Sequence, residues 1–224
     1  MDRTGILFRH AQHGRRALTR WLGHPPPIVS ANPALQALVA NLGPGDVAID
    51  CGANVGEVTE ALAWRGARVF AFEPNPFAFA RLNERFRFRG NVTCRQAAVG
   101  TEAGSLPLYL HVNSKEDPVH WSTGSSLLRQ KGNVDPETFV TVPVVDLAEF
   151  LASLGGEISL LKLDIEGAEI ALLDHLLARG ALERARTVLV ERHDNKIPEL
   201  ALPMARLLDR LTAEGITNVH FDWH

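Results

Sequence analysis

A glycine-containing turn carries the clearest chemical signal in the sequence. Asp50 ends an apolar segment and is followed by Gly52, Ala53, Asn54 and Gly56. Glycine and asparagine tolerate positive φ and allow a ligand to approach the backbone closely. A similar turn holds the pyrophosphate of dinucleotides, but a carboxylate at Asp50 would repel a pyrophosphate and attract an ammonium group. S-adenosylmethionine carries an ammonium and a sulfonium and no phosphate, so the turn favours it as a cofactor.

A second acidic position follows the next predicted strand. Glu73 and Pro74 come after an apolar run, and a carboxylate there is placed to accept hydrogen bonds from both ribose hydroxyls. Phe72 and Phe77 could flank an adenine together with segment 95–98, whose Gln96 could read the adenine edge. The predicted cofactor-binding residues are Asp50, Gly52, Ala53, Asn54, Gly56, Glu73, Pro74, Gln96, Ala97, Ala98 and Asp164.

Charged residues gather where two further strands are predicted to end. Lys162, Asp164 and Glu166 lie at or just beyond one strand end, and Glu191 and His193 follow the next strand. Ligands of open α/β sheets bind at this edge. We predict catalytic roles for Asp164, His193, Glu166 and Lys162. His193 is the preferred general base because its ordinary pKa lies near neutral pH, although Asp164 could be the base itself.

The acidic cluster also raises the question of a metal. Asp164, Glu166, Glu191 and His193 could form an oxygen-rich divalent-metal site, but their spacing is not diagnostic. The predicted site therefore includes no metal ligand, and the need for a divalent ion stays open. Glu169 is interpreted as an acid that favours the first turn of its helix rather than as a catalyst.

A polar loop is the expected acceptor-binding segment. Trp121 is followed by several small hydroxyl residues, and an indole ring can stack on the face of a sugar. Long connections inside compact domains are often binding loops or lids. We predict that Trp121, Ser125, Ser126 and Glu191 contact the acceptor.

Apolar runs alternate with helical patterns from residue 28 onward, which predicts an α/β fold with a mainly parallel sheet. The predicted strands are 47–51, 67–72, 92–99, 106–111, 139–145, 158–164, 187–192 and 218–222. The predicted helices begin near residues 32, 57, 76, 146, 168 and 200.

Composition narrows the class of protein further. The 224 residues carry a formal charge of -3, are 46% hydrophobic and include two cysteines, as expected of a globular, cytoplasmic protein without a disulfide framework. The near-neutral charge argues against a nucleic-acid partner, and no apolar run reaches the length of a transmembrane segment. We expect a basic arm with a proline linker at residues 1–27 and one domain at 28–224. Residues 1–24 either pack on the domain or form a membrane-surface or partner-docking segment.

Four segments together resemble one known family. They are residues 50–56, Phe72-Glu73-Pro74, Ser125-Ser126-Leu127 and residues 161–169, whose Lys-x-Asp-x-Glu-Gly-x-Glu pattern is the most specific. They are similar to the FkbM family of S-adenosylmethionine-dependent methyltransferases. The resemblance implies a Rossmann-like class I methyltransferase fold, with a seven-stranded sheet that includes one antiparallel strand and helices on both faces. The chain ends soon after its last predicted strand, so the usual C-terminal hairpin is expected to be incomplete.

The functional prediction is an S-adenosylmethionine-dependent O-methyltransferase that acts on a hydroxyl of a glycan, a polyketide-like metabolite or another small polar acceptor. Two alternatives remain open: a non-catalytic protein and an NAD-binding protein on a Rossmann-like fold. The sequence determines neither the acceptor nor the oligomeric state.

Overall fold

The central sheet of the computed structural model is parallel throughout. The structure describes residues 25–26, 28, 33–194 and 197–221. The strands of this sheet are β1 (Val47–Cys51), β2 (Arg68–Phe72), β3 (Val92–Arg95), β7 (Leu160–Leu163), β8 (Val188–Val190) and β9 (Val219–His220). They lie in the order β3-β2-β1-β7-β8-β9. The carboxyl ends of all six strands therefore meet at one edge of the sheet.

Helices cover both faces of this sheet, as predicted. They are α1 (Pro33–Ala40), α2 (Glu57–Ala63), α3 (Pro76–Phe86), α4 (Leu147–Ser153), α5 (Glu169–Ala178) and α6 (Ala201–Ala213). Successive strand residues point to opposite faces. Ala48 and Leu160 pack with α1 and α2, whereas Ile49 and Leu161 pack with α4, α5 and α6.

A second sheet of three strands has the order β4-β6-β5. Its strands are β4 (Ala98–Gly100), β5 (Gly104–His111) and β6 (Val134–Asp146), and β5 runs antiparallel to β6. The prediction of one strand over 92–99 was wrong, because the chain leaves the central sheet after Arg95 and joins the second sheet at Ala98. The seven-stranded sheet implied by the resemblance is likewise absent from the described residues, since the antiparallel pairing lies in the second sheet.

Most other element bounds agree with the sequence pattern to within a few residues. Asp146 caps α4 as predicted, because its carboxylate accepts a hydrogen bond from the backbone N–H of Glu149. The polar loop contains a 3₁₀ helix at His120–Gly124. The predictions for residues 1–24, for Asn32 and for Asp222 fall outside the described residues. None of the described helices has both the length and the apolar character needed to cross a membrane.

Candidate active site

The turn after β1 packs against the end of β7. Gly52 has φ 76°, and a Cβ atom at this position would lie 1.7 Å from the backbone oxygen of Asp164. The backbone N–H groups of Gly52 and Ala53 both donate to the carbonyl of Phe72, at 3.0 and 2.9 Å. Only glycine fits at residue 52, because any side chain would push the turn away from β7.

Glu73 joins this turn to the chain that follows β2. One carboxylate oxygen accepts a hydrogen bond from the backbone N–H of Asn54 at 2.8 Å, and the other accepts from that of Asn75 at 2.7 Å. Burial raises the pKa of Glu73 to about 7, although both hydrogen bonds act in the opposite direction. Asn75 caps α3 through its side-chain oxygen and donates from its amide nitrogen to Ser125 Oγ at 3.1 Å.

A cavity of about 100 Å³ opens at the carboxyl ends of β1, β2 and β7. Its lining residues are Gly52, Asn54, Phe72, Glu73, Pro74, Asn75, Ala97, Ala98, Val99, Leu108, Ser122, Thr123, Ser125, Ser126, Leu127, Asp164, Ile165 and Glu166. We call this space the donor cavity.

Lys162 lies beneath the donor cavity and is 2% exposed. Its Nζ is 3.3 Å from Asp50 Oδ1 and 3.1 Å from Asp164 Oδ2, and it donates to the carbonyl oxygen of Gly52 at 2.8 Å. Burial disfavours the charge, but the two carboxylates raise the pKa of Lys162 above its ordinary range. The lysine thus joins the glycine turn to the end of β7.

His193 occupies the centre of the acidic cluster and is 1% exposed. Its Nδ1 lies 3.0 Å from Glu169, and its Nε2 lies 3.3 Å from Glu166, 3.7 Å from Glu191 and 4.0 Å from Asp164. Burial acts to lower the pKa of His193, but Glu169, Glu166 and Glu191 raise it above its ordinary value.

The pKa values of two neighbouring carboxyl groups are shifted in opposite directions. Burial raises the pKa of Glu166 although Lys131 Nζ lies 2.5 Å away. Burial would also raise the pKa of Asp164, but Lys162 and a hydrogen bond with Glu191 hold it below its usual range.

A second cleft of about 650 Å³ adjoins the donor cavity, and the two share Thr123, Asp164 and Glu166. We call it the acceptor cleft. Its remaining lining residues are His111, Trp121, Gly124, Lys131, Gly132, Asn133 and Glu191. The Trp121 ring stacks on His111, with ring centroids 4.4 Å apart and planes 12° apart.

The structure places the predicted residues in three groups. In the donor cavity lie Gly52, Asn54, Glu73, Pro74, Ala97, Ala98, Ser125, Ser126, Asp164 and Glu166. In the acceptor cleft lie Trp121 and Glu191, together with the shared Asp164 and Glu166. In neither space lie Asp50, Ala53, Gly56, Gln96, Lys162 and His193.

Several of these positions differ from the expectations. Asp50 is fully buried and accepts a hydrogen bond from Thr59 Oγ1 at 2.6 Å, so it does not face the cavity. Gln96 is exposed on the protein surface. Ser125 and Ser126, expected beside the acceptor, line the donor cavity instead. Ser126 Oγ donates to the carbonyl of Glu166 at 2.7 Å.

Sequence reasoning missed several residues around these spaces. Asn75 lines the donor cavity, and its position directly before Pro76 signalled a helix cap but not a site residue. Lys131 lies 35 positions before Glu166, and nothing in the local sequence indicated their ion pair. Glu169 was interpreted as a first-turn acid, but its carboxylate accepts from the backbone N–H groups of Ile165 and Gly167 and contacts His193.

Comparison with known proteins relates the chain to a family of methyltransferases. Residues 50–215 match the family model described as the methyltransferase FkbM domain. The chain is 33% identical over 178 residues to the 31-O-demethyl-FK506 methyltransferase FkbM of Streptomyces tacrolimicus, covering 68% of this chain and 67% of that protein. It is 27% identical over 179 residues to the 2-O-methyltransferase NoeI of Sinorhizobium fredii, covering 75% and 72%.

A further relative is matched over a smaller share of its length. The hexuronic acid methyltransferase AglP of Haloferax volcanii is 29% identical over 157 residues, which are 69% of this chain and 59% of that protein. Among solved structures, a methyltransferase FkbM from Methylobacillus flagellatus superposes with a TM-score of 0.46 at 13% identity, covering 79% of this chain and 52% of that one.

Proposed function

The chain belongs to the FkbM methyltransferase family, and from this we propose that it transfers a methyl group from S-adenosylmethionine to a hydroxyl of a small polar acceptor, either a glycan or a polyketide-like metabolite. The observation that carries the proposal is the junction of the donor cavity with the acceptor cleft at Asp164 and Glu166. A transferable methyl group and its acceptor must meet in such a junction.

The residues that line the donor cavity suit S-adenosylmethionine in their chemistry. Glu73 lies at the end of β2, where its carboxylate can accept from both ribose hydroxyls. Phe72, Ala97 and Ala98 offer apolar surface for the adenine. Asp50 acts through Lys162 and the turn rather than by contact with the cofactor, since it is fully buried. Pro74 and Asn54 complete the cofactor-binding surface.

Methyl transfer is an in-line displacement that depends mainly on positioning. The acceptor oxygen bonds to the methyl carbon, the carbon–sulfur bond breaks with its electrons remaining on sulfur, and the acceptor proton passes to a base. Asp164 and Glu166 line both spaces, whereas His193 lies in neither. We assign the base to Asp164 because its contact with a lysine is the longer one, at 3.1 Å against 2.5 Å for Glu166. Lys162 holds the pKa of Asp164 low, so the proton transfers as the new bond forms rather than before it.

The acceptor cleft favours a hydroxylated molecule. Trp121 provides a flat aromatic wall whose orientation is set by stacking on His111. Glu191 and Asn133 line the same cleft and provide polar side chains. The names of the relatives include a hexuronic acid, a 2-O position and a 31-O position of FK506 as methylation targets, which supports a hydroxyl acceptor.

Calorimetry with S-adenosylhomocysteine tests the donor half of the proposal. We expect one binding site per chain, at least tenfold weaker binding in Glu73→Ala, and unchanged binding in the surface control Glu102→Ala. Absence of binding by a folded wild-type chain would refute the proposal, and tight NADH binding in its place would favour the dinucleotide alternative.

Transfer of a radiolabelled methyl group to a panel of saccharides and macrolide alcohols tests the acceptor half. Asp164→Asn should abolish transfer while retaining S-adenosylhomocysteine binding within a few-fold. Full activity of Asp164→Asn would refute its assignment as the base.

A further inference from the structure

Three side chains from the ends of β7 and β8 converge between the two cavities. One ligand atom from each of Asp164, Glu191 and His193 lies within 4.8 Å of the others. The two strands pair in parallel, with Leu163 opposite Val190, so the residues just beyond both strand ends are held side by side. Asp164 and Glu191 also line the acceptor cleft, which connects the cluster to solvent.

The imidazole of His193 is oriented like a metal ligand. Its Nδ1 faces Glu169, while its Nε2 faces the carboxylates of Glu166, Glu191 and Asp164 at 3.3 to 4.0 Å. Nε2 has no partner in hydrogen-bond geometry within the described part of the chain, although the residue is only 1% exposed, whereas Nδ1 lies 3.0 Å from Glu169 Oε1. A carboxylate at the far nitrogen of a ligating imidazole is the usual arrangement around protein-bound metals.

The spacing of these atoms fits a coordination sphere. Donor atoms about 2.1 Å from a metal lie roughly 3.0 to 3.4 Å apart when neighbouring ligands subtend 90° to 110°. The distances from Nε2 to the carboxylates need to close by no more than several tenths of an ångström. Two lysines leave room for this: Lys162 contacts Asp164 Oδ2 and leaves Oδ1 directed at His193, while Lys131 contacts Glu166 from the cleft side.

Charge points to the same conclusion. A neutral His193 with its proton on Nδ1 would direct the Nε2 lone pair at three carboxyl groups, an arrangement that a cation must stabilise. That positive charge is a proton, either on Nε2 or shared between the carboxyl groups, or a metal ion. Asp164 and Glu191 open the cluster to the acceptor cleft. This favours the metal, because an ion can enter from the cleft and can keep one coordination position for an oxygen atom from outside the chain.

We propose that Asp164, Glu191 and His193 bind one divalent cation at the junction of the donor cavity and the acceptor cleft, with Glu166 beside it and Glu169 orienting the imidazole. A mixed set of one imidazole and carboxylates suits Mn²⁺ or a similar ion better than Mg²⁺. The binding site stands on geometry, whereas its role rests on the proposed function: the ion holds the acceptor hydroxyl and lowers its pKa, while Asp164 ligates the ion through Oδ1 and accepts the acceptor proton at Oδ2. The sequence-based prediction included no metal ligand.

Mn²⁺ titration of the chelator-treated full chain, followed by the electron paramagnetic resonance signal of free Mn²⁺, tests the site without any substrate. We expect one ion per chain in the wild type and in the surface control Glu102→Gln, and at least tenfold weaker binding in Glu191→Gln. Glu191 is partly exposed, so this variant should fold; His193→Gln, checked for folding by circular dichroism, should also lose the ion.

Two results would overturn the proposal. The first is no Mn²⁺ binding up to millimolar concentration by a folded wild-type chain, which would mean that a proton supplies the positive charge in the cluster. The second is equal Mn²⁺ binding by the wild type and by Glu191→Gln. Calorimetry with S-adenosylhomocysteine separates this test from that of the proposed function. Mn²⁺ binding by a chain that does not bind S-adenosylhomocysteine would support the cation site and refute methyl transfer.

Discussion

Replacing Lys162 with methionine should destabilise the protein strongly. Methionine has a similar length but no charge, so Lys162→Met leaves the carboxylates of Asp50 and Asp164 without their shared cation. The carbonyl of Gly52 also loses its donor. Removing one partner of a buried ion pair typically costs about 3 to 5 kcal/mol. For a chain of this size, that loss lowers Tm by roughly 6 to 20 °C.

A second substitution separates charge from packing. Asp50 is fully buried, and an asparagine in its place can still accept the hydrogen bond from Thr59. The double variant Asp50→Asn/Lys162→Met should therefore recover more than half of the lost stability, because it no longer buries the uncompensated charge of Asp50. The exposed Lys115→Met serves as the control for loss of a lysine and should change stability by less than about 0.5 kcal/mol.

Urea unfolding followed by circular dichroism measures these differences at constant m-value. A loss below about 1 kcal/mol in Lys162→Met would refute the electrostatic reasoning. A double variant no more stable than the single one would also refute it, since the penalty would then come from packing rather than from buried charge.

Three further predictions concern the donor cavity and the acceptor cleft. Gly52→Ala should weaken S-adenosylhomocysteine binding at least tenfold, because its Cβ would collide with the Asp164 carbonyl. Gly45→Ala is the control, because Gly45 also has a positive φ, 99°, but has open space where the Cβ would lie. This variant introduces backbone strain without a collision, so calorimetry should show normal S-adenosylhomocysteine binding. Burial raises the pKa of the Glu73 carboxyl from 4.5 to about 7 in the folded state. The protonated carboxyl therefore stabilises the fold fully below about pH 4.5, and this contribution to the free energy of unfolding, on the order of 3 kcal/mol, is lost as the pH rises through about 7. Urea unfolding from pH 4.5 to 8 should show this loss in wild type but not in Glu73→Gln, and parallel curves would contradict the raised pKa. Trp121→Ala should raise the acceptor KM about threefold to tenfold and leave donor affinity unchanged in steady-state assays, whereas an equal loss of donor affinity would argue against its place in the acceptor cleft.

Local patterns predicted much of the architecture. The segment Val47–Cys51, apolar except for Asp50, became β1 with the predicted bounds, since a strand buried on both faces consists mainly of apolar residues. The pattern failed at 92–99, where the chain passes from one sheet to another. The residues on both sides have similar strand propensity, and only pairing partners distant in sequence decide which sheet each one joins.

The sequence by itself determined the family, the alternation of strands and helices, and the sheet edge that collects the glycine turn and the carboxylates. These properties depend on residue type, on short-range spacing and on the rule that parallel strands end at a common edge. The sequence also indicated that Glu73 and Asp164 lie at this edge, because each directly follows a strand.

Tertiary structure alone decided which of these charged groups face a cavity and which are buried beneath it. Asp50 and Lys162 face each other across paired strands, and His193 is enclosed by carboxylates from two neighbouring strand ends. Lys131 reaches Glu166 from a loop far away in the sequence. Charge compensation and burial depend on distances between such remote segments, so no local pattern of residues encodes them.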